Sequence, residues 1–290
     1  MKKPIGDHMI QYGQYSVSPY IMAAIKTPKD LTRFVKESLK GRKFIVAFQR
    51  ETYLHMHTAN GIAIENAAGG AHRLLDEILQ ATGGVMVALA TGDADAEVVD
   101  KQNRIQVPPL DPKYTLKRVF IKKKELEGFY YGFSNQTLWP LCHAVFVKPM
   151  FNNAWWQDYV TVNQKFADAI GEELDDDNGF IWVNDYHLSL LPTMLRRAHP
   201  KLKIGVFWHI PWPTNEIYRI CPWRKEIIEG LLGADFIGFH RGYHIDNFVE
   251  CARHDLEVIV DTEPRSITYK GHTTRVGNVP AGIDYTEIIQ

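Results

Sequence analysis

Residues 180–209 read FIWVNDYHLSLLPTMLRRAHPKLKIGVFWH. Phe180–Val183 is a short apolar run. A helical pattern follows to about His199, Pro200 breaks it, and Ile204–Trp208 is a second apolar run. Strand, helix, strand in this order is the crossover unit of a parallel sheet. Runs that are apolar at every position, rather than at alternate ones, suit strands covered on both faces. The same alternation extends outward. Upstream lie FIVAF at Phe44–Phe48, a helix through Leu74, Leu75, Ile78 and Leu79, and a strand at Val85–Leu89. Short strands follow around Ile105–Val107 and Leu116–Ile121, then a long helix over about 153–174. Downstream lie a helix from about Pro222 to Leu232, a strand at Phe236–Phe239, a helix near 243–253, and strands at Leu256–Val260 and Thr274–Val279. The expected class is α/β, a mostly parallel sheet with helices on both faces.

The first 42 residues read as an extension carrying one helix. Thr27-Pro28-Lys29-Asp30 supplies a capping threonine, proline at the first helical position and an acid at the third. Leu31, Phe34, Val35 and Leu39 form its apolar face, and Gly41 ends it. The main domain then spans 43–280.

The chain has 290 residues, 45% hydrophobic, with Lys+Arg 33 against Asp+Glu 34. At roughly 100–200 residues per domain, that length fits one large domain or two modest ones. The formal net charge of -1 gives no electrostatic case for nucleic acid or an anionic membrane. No run approaches about 18 apolar residues, and no secretory signal follows the basic start. Cys142, Cys221 and Cys251 form no CxxC pair and no disulfide pattern, which fits a reducing, cytoplasmic setting. His55-Met56-His57 lacks a third ligand, and His240 and His244 lack the glutamate of an HExxH site, so no metal is expected.

Ligands of open α/β sheets gather outside the carboxyl ends of the strands. Several polar residues directly follow apolar runs here: Arg50, Asp185 with His187, His209, and His240. Parallel strands would bring all of them to one rim. Gly69-Gly70 stands ahead of a helix, where free N–H groups favour an anion, and Arg50 could add a fork of donors. The glycine pair alone fits a plain turn equally well. Neither GxGxxG nor GxxxxGK[ST] is present. The stretch from Phe129 to Pro140 mixes aromatic and hydrogen-bonding groups, a composition that suits a sugar or, for Phe133 and Leu138, a packed core. The prolines of His209-Ile-Pro-Trp-Pro stiffen the loop that carries His209. No residue stands out as a protein nucleophile.

These segments resemble the trehalose-6-phosphate synthase family of retaining glycosyltransferases, which also includes glucosylglycerol-phosphate synthases. The matching stretches are YYGFSNQTLWP at 130–140, WVNDYHLSLLP at 182–192, HIPWPTNEIYR at 209–219, LLGADFIGFH at 231–240 and VPAGID at 279–284. The resemblance implies the Rossmann-like N-terminal domain of a GT-B glycosyltransferase, with 281–290 starting a linker to a second domain. It implies that Arg50, Tyr130, Trp139 and Asp185 bind the acceptor. Gly69, Gly70 and His209 would face the donor, and Asp185 and His209 would act in catalysis. It implies a nucleotide sugar (UDP-, ADP- or GDP-glucose) as co-substrate, a sugar phosphate as acceptor, and no cofactor or metal. Front-face attack, with the acceptor proton passing towards the departing phosphate, would need no protein nucleophile.

Departures from the family pattern bear on the acceptor. Gln49-Arg50-Glu51-Thr52 replaces the usual Asn-Arg-Leu-Pro and leans towards the glucosylglycerol-phosphate branch, while His187 and His209-Ile-Pro keep the trehalose-phosphate pattern. Gly84–Gly92, GVMVALATG, lacks the family's tryptophan motif, and Asn184 replaces a histidine. A donor-gripping second domain or partner chain is expected to be required, and little or no transferase activity is expected of these residues alone. A non-catalytic sugar-phosphate-binding module is the reading from another class.

Overall fold

A computed structural model describes residues 27–67 and 69–280; the expected features in 1–26 and the linker at 281–290 lie outside the described residues. In chain order the elements are α1 (Pro28–Leu39), β1 (Lys43–Arg50), β2 (Tyr53–Thr58), β3 (Gly61–Asn66), α2 (Gly70–Thr82) and β4 (Val85–Leu89). Next come β5 (Arg104–Val107), β6 (Tyr114–Val119), α3 (Lys123–Leu126), a π-helical run at Glu127–Leu138, α4 (Trp139–His143) and α5 (Asn153–Gly171). Then follow β7 (Gly179–Asn184), α6 (Leu191–Ala198), β8 (Lys203–Trp208), α7 (Asn215–Tyr218), α8 (Arg224–Leu231), β9 (Phe236–Phe239) and α9 (Gly242–Asp255). The chain closes with β10 (Ile259–Thr262), β11 (Arg265–Tyr269) and β12 (His272–Asn278).

One 10-stranded sheet has the order β10-β11-β12-β9-β8-β7-β1-β4-β6-β5. Neighbours from β12 through to β6 are parallel; β5, β10 and β11 are antiparallel additions. From β1 the chain steps one way to β4 and β6, then returns to β7 on the other side of β1 and steps away through β8, β9 and β12. That reversal makes the β1–β7 boundary the switch point of a Rossmann-like sheet.

The continuous apolar runs are explained by burial on both faces. Phe44, Val46 and Phe48 of β1 pack with Met86, Ala88 and, from α2, Leu75 and Leu79. Ile45 and Ala47 face the other way, with Val85, Val87, Ile181 and Val183, against Trp156, Tyr159 and Phe166 of α5. Full burial of each such side chain contributes about 1.5–3 kcal/mol. Helix α1 starts as its capping residues require: the Asp30 N–H donates to Thr27 Oγ1 at 3.2 Å, and the Thr27 N–H donates to Asp30 Oδ2 at 3.2 Å.

Some features differ from expectation. The antiparallel hairpin β2–β3 and strand β11 were not anticipated. The strand expected at Leu256–Val260 is displaced to Ile259–Thr262, because Leu256 still caps α9, its N–H donating to the Ala252 carbonyl at 3.0 Å. Among the described residues no helix is long and apolar enough to cross a membrane.

Two glycines let α8 and its exit turn press onto the segment that follows β7. A Cβ on Gly230 would lie 2.4 Å from the Ser189 carbonyl oxygen, and one on Gly233 would lie 2.4 Å from the Thr193 backbone nitrogen. Backbone cannot yield as a side chain can. Gly233→Ala should therefore lower the unfolding free energy by about 2–3 kcal/mol, read as a lower urea midpoint at unchanged slope. Gly242→Ala, whose Cβ would meet nothing within 4 Å, is the matched control and should be neutral or slightly stabilising.

Candidate active site

The carboxyl ends of the parallel strands carry the predicted polar residues. Arg50 ends β1, Asp185 and His187 follow β7, His209 follows β8, and His240 follows β9. All lie on one rim, beside the switch point. Gly69 precedes α2 with φ +130°, a conformation glycine adopts readily, and Gly70 begins the helix.

Asp185 is held in an unusual backbone state, φ 73° and ψ 169°. A side chain costs about 1–3 kcal/mol there and persists only when its surroundings over-determine it. They do so here. The Asp185 N–H donates to the Phe207 carbonyl at 2.8 Å. The turn beyond is tied to α5 by buried polar groups. The Tyr159 hydroxyl donates to the Tyr186 carbonyl at 2.5 Å, and Asn163 Nδ2 donates to the His187 carbonyl at 3.1 Å. Asn163 Oδ1 accepts from Leu190 N and Leu191 N, both at 3.2 Å.

The groups this turn presents are short of partners. Asp185 Oδ1 and both ring nitrogens of His187 are buried without a hydrogen bond among the described residues. The nearest pairing is His187 Nδ1 to Asp185 Oδ2, at 3.6 Å. Burial by itself would raise the Asp185 carboxyl; His187, His209 and the Tyr186 N–H outweigh it and hold the group below the ordinary aspartate range. Buried polar atoms are usually satisfied, so such a cluster at a switch point marks a place for ligand hydroxyls.

His187 lies between two tyrosines, stacked on Tyr130 at 5.6 Å and 17° and close to Tyr186 at 3.9 Å. Tyr130 reaches it from the π-helical run, a turn type frequent at functional sites. Close approach of that run to α5 requires Gly128 and Gly132: a Cβ would meet Asp158 at 2.0 Å and Trp155 at 2.5 Å respectively. The Tyr186 hydroxyl donates to Asn135 Oδ1 at 3.1 Å, tying the same run to the Asp185 turn. Trp139 stands apart from these groups. Its ring is 41% exposed and stacks on His143 at 4.1 Å. Phe133 and Leu138 are fully buried core residues.

On the other side of Asp185, His209 Nε2 is 3.3 Å from Asn184 Oδ1. Its ring contacts Phe207, His240 and Phe48 at 4.5, 6.0 and 6.4 Å. Burial, aided by His240 and His187 against Asp185, lowers the His209 imidazole below its ordinary value. The proline loop behind it is clamped by Trp212, whose N–H donates to His244 Nδ1 at 3.2 Å and whose carbonyl accepts from Asn247 Nδ2 at 3.0 Å.

Sequence reading missed one member of the rim. His72, in the first turn of α2, packs on Phe48 at 4.9 Å, and its Nδ1 is 3.1 Å from the place a Cβ on Gly69 would take. Burial and then the charge of Arg50 push it down to about 4. A lone histidine on a helix gives no signal; only its three-residue spacing from Gly69 could have raised it. Among the described residues no carboxylate pairs with the Arg50 guanidinium.

A sheet of this order, with an arginine, a helix N-terminus and unpartnered buried polar groups at its switch point, is a Rossmann-like ligand-binding sheet, and it matches the N-terminal half of GT-B glycosyltransferase structures. The chain belongs to glycosyltransferase family 20, whose family model matches residues 41–290. It is 36% identical over 258 residues to the trehalose-6-phosphate synthase of Mycolicibacterium vanbaalenii, covering 86% of this chain and 52% of that protein. It is 37% identical over 258 residues to the Mycobacterium leprae trehalose-6-phosphate synthase, covering 85% and 50%. Among solved structures it is similar to one from E. coli described as trehalose-6-phosphate bound with UDP-2-fluoro glucose. That match has TM-score 0.69 and 27% identity, over 85% of this chain and 50% of that one. It is also similar to a UDP-forming α,α-trehalose-phosphate synthase from Burkholderia xenovorans in complex with glucose-6-phosphate. Here the TM-score is 0.66 and identity 26%, over 86% and 51%. The chain spans about half the length of the curated relatives it matches.

Two measurements check this geometry. Because its folded value lies below the ordinary 6.5, His72 supplies stability that is present above that value and lost as pH falls through about 4. Its ring resonances should stay in the neutral form until about pH 4, and Arg50→Gln should raise the midpoint; an unmoved midpoint would separate the two residues. Asp185→Ala keeps the strained backbone and Asp185→Gly releases it. The glycine variant should be more stable than the alanine variant by about 1 kcal/mol in urea unfolding.

Proposed function

We propose that this chain is the acceptor side of a retaining glycosyltransferase that moves glucose from a nucleotide sugar to a sugar phosphate, an α,α-trehalose-phosphate synthase. In this reading residues 43–280 form the acceptor-side domain, 281–290 begin a linker, and a second domain or partner chain grips the donor. The observation that carries it is the pairing of two unlike binding groups at one switch point. Among the described residues Arg50 offers a guanidinium with no carboxylate partner, and Asp185 offers a carboxylate oxygen, Oδ1, with no hydrogen bond. The first suits a phosphate and the second a sugar hydroxyl.

The roles follow from each group's state. Arg50 and the N–H groups at Gly69-Gly70 receive phosphate oxygens. Asp185, kept ionised by its histidines, accepts from a hydroxyl and orients it. His209, kept uncharged by burial, donates to or accepts from the transferred sugar. Tyr130, stacked on His187, offers its other face to a sugar ring, and Trp139 offers an exposed face further along the same segment. With no nucleophile among these groups, rate acceleration rests on orientation and on charge stabilisation at the leaving phosphate. UDP-glucose is the donor that the Burkholderia and E. coli comparisons favour. A cytoplasmic setting fits substrates of this kind.

Glu51 bears on the choice of acceptor. Its side chain is wholly buried and hydrogen-bonded to Thr91 and Arg118. The Arg50-Glu51 pair therefore places no acid in the pocket, and glycerol 3-phosphate, towards which this motif leans, is the alternative acceptor.

Calorimetry with glucose 6-phosphate tests the reading. Residues 1–290 should bind it, and Arg50→Ala should weaken binding by about tenfold or more, as expected for loss of charge-assisted hydrogen bonds of about 1.5–3 kcal/mol. Glycerol 3-phosphate should bind more weakly. Disaccharide phosphate should form only when a donor-binding half is supplied. A glycerol 3-phosphate preference would redirect the assignment. Binding without transfer, even with that half present, would favour a non-catalytic module.

A further inference from the structure

Beneath the rim lies a buried ionic cluster with more acid than base. Arg118 of β6, Glu51 and Asp95 are all wholly buried. Arg118 Nε donates to Glu51 Oε2 at 2.8 Å, and Nη2 lies 2.7 Å from Asp95 Oδ1. Nη1 donates to the Asp95 carbonyl and Nη2 to the Tyr53 carbonyl, both at 3.0 Å. Nη2 also contacts His55 Nδ1 at 2.8 Å. Arginine can only donate, so that nitrogen accepts and His55 is neutral. Burial, followed by the charge of Arg118, pushes the His55 imidazole the same way. The titratable groups packed around Glu51 are therefore Arg118 from β6, Asp95 from the 3₁₀ turn after β4, and a neutral His55 from β2. Two carboxyls share one cation.

The two acids are not equivalent. Asp95 accepts on both oxygens, at Oδ1 from His55 N at 2.9 Å and at Oδ2 from Gly92 N at 2.7 Å, besides Arg118. Glu51 accepts at Oε1 from Thr91 N at 2.7 Å and from the Thr91 hydroxyl at 3.0 Å. Glu51 Oε2 and Asp95 Oδ1 lie against two nitrogens, Nε and Nη2, of the one guanidinium. Two buried carboxyls on one cation repel unless one carries a proton; Asp95 Oδ1 already accepts from His55 N, which leaves the proton to Glu51 Oε2. Burial, and then the Asp95 side chain, raises the Glu51 carboxyl to about 8.

Glu51 directly follows Arg50. The β1–β4 register shifts between Ala47 and Arg50, so the regular ladder does not fix the end of β1. The first fixed point beyond that irregularity is Glu51, joined through one guanidinium to the chain after β4 and to β6. We propose that Glu51 is a positioning residue of the anion site: as a neutral acid bonded to Arg118 and Thr91 it anchors the end of β1 and so aims Arg50, and loss of its proton beside Asp95 loosens that aim. The proposal rests on the reading of Arg50 as a phosphate-binding group. The sign is fixed by the raised value: the cluster's contribution to stability falls as pH rises from the ordinary carboxyl range through about 8.

The test has a spectroscopic arm that needs no ligand. Infrared difference spectra of residues 1–290 should show the carbonyl band of a protonated carboxylic acid at neutral pH. That band should disappear on titration through about pH 8 and be missing from Glu51→Gln. The second arm is glucose 6-phosphate affinity by calorimetry between about pH 7 and pH 9. The phosphate is already dianionic there, its second pKa being about 6. The wild type should lose affinity by up to about tenfold per pH unit, the limit for one proton, while Glu51→Gln should stay flat. Thr91→Val removes one donor from Glu51 Oε1 and should shift the infrared and affinity midpoints upward together, which keeps the test open if Glu51→Gln misfolds. Absence of a Glu51-dependent acid band, equal pH slopes in wild type and Glu51→Gln, or midpoints that move apart would overturn the proposal. Failure of the wild type to bind glucose 6-phosphate near neutral pH would instead overturn the reading of Arg50, whatever the infrared result.

Discussion

The reversal of strand order beside β1 governs where this protein can hold a ligand. Crossovers between parallel strands are right-handed, so strands stepping away from β1 in opposite directions put their connecting helices on opposite faces. Helix α2 covers one face and α5 the other. Neither crosses over the carboxyl ends of β1 and β7, and the crevice between them stays open. Arg50 and Asp185 stand at the ends of these two neighbouring strands, whose pairing is regular from Lys43 with Gly179 to Ala47 with Val183. The ladder brings the two groups to neighbouring strand ends, and the last step of Arg50 is set beyond it, where Glu51 is held by Arg118.

The two sides of the crevice are braced by different chemistry. On the Asp185 side the support is neutral: Tyr159 and Asn163 satisfy backbone groups of the turn from inside the core, and the Ser189 hydroxyl bonds that of Tyr159. On the Arg50 side it is ionic, with Arg118 reaching the chain after β1 and the turn after β4. A buried ion cluster adds little net stability, because desolvation offsets most of the attraction. What it adds here is geometry, since one planar guanidinium fixes several backbone and side-chain acceptors at once. Gly92 belongs to this arrangement, as a Cβ there would lie 2.4 Å from the His55 carbonyl oxygen.

The doubly covered strands were legible because burial on both faces removes polar positions from a run, as in Ile45–Phe48 and Val85–Leu89. The rim residues were legible for the converse reason: Arg50, Asp185 and His209 are the first charged or titratable side chains after such runs. Hairpin β2–β3 was not, since it lies off the main sheet and leaves Ile62 and Ile64 exposed, so its pattern reports no core. The π-helical run matches neither a 3.6 nor a 2 period; its Ser134 hydroxyl donates five residues back, to the Phe129 carbonyl. The inward face of Glu51 depends on Arg118, 67 residues on, and the state of His72 on Arg50 from another element. Pairings at that separation leave no local trace.

Burial acts on the rim's acids and bases in one direction, towards neutrality. It lowers His72, His209 and His240 and by itself would raise Asp185. Asp185 escapes because two histidines and a backbone N–H favour its charged form more strongly than burial opposes it. The outcome is an ionised carboxylate near His209 and His240, whose basicity burial lowers, with Arg50 supplying positive charge across the switch point. An ionised carboxylate can only accept, whereas a neutral imidazole both donates and accepts. The Asp185 side therefore suits hydroxyls, which need both kinds of partner. An anion would be repelled there and drawn to Arg50 and the start of α2. A ligand that satisfies both ends carries hydroxyls at one and a negative group at the other, as the proposed sugar-phosphate acceptor does.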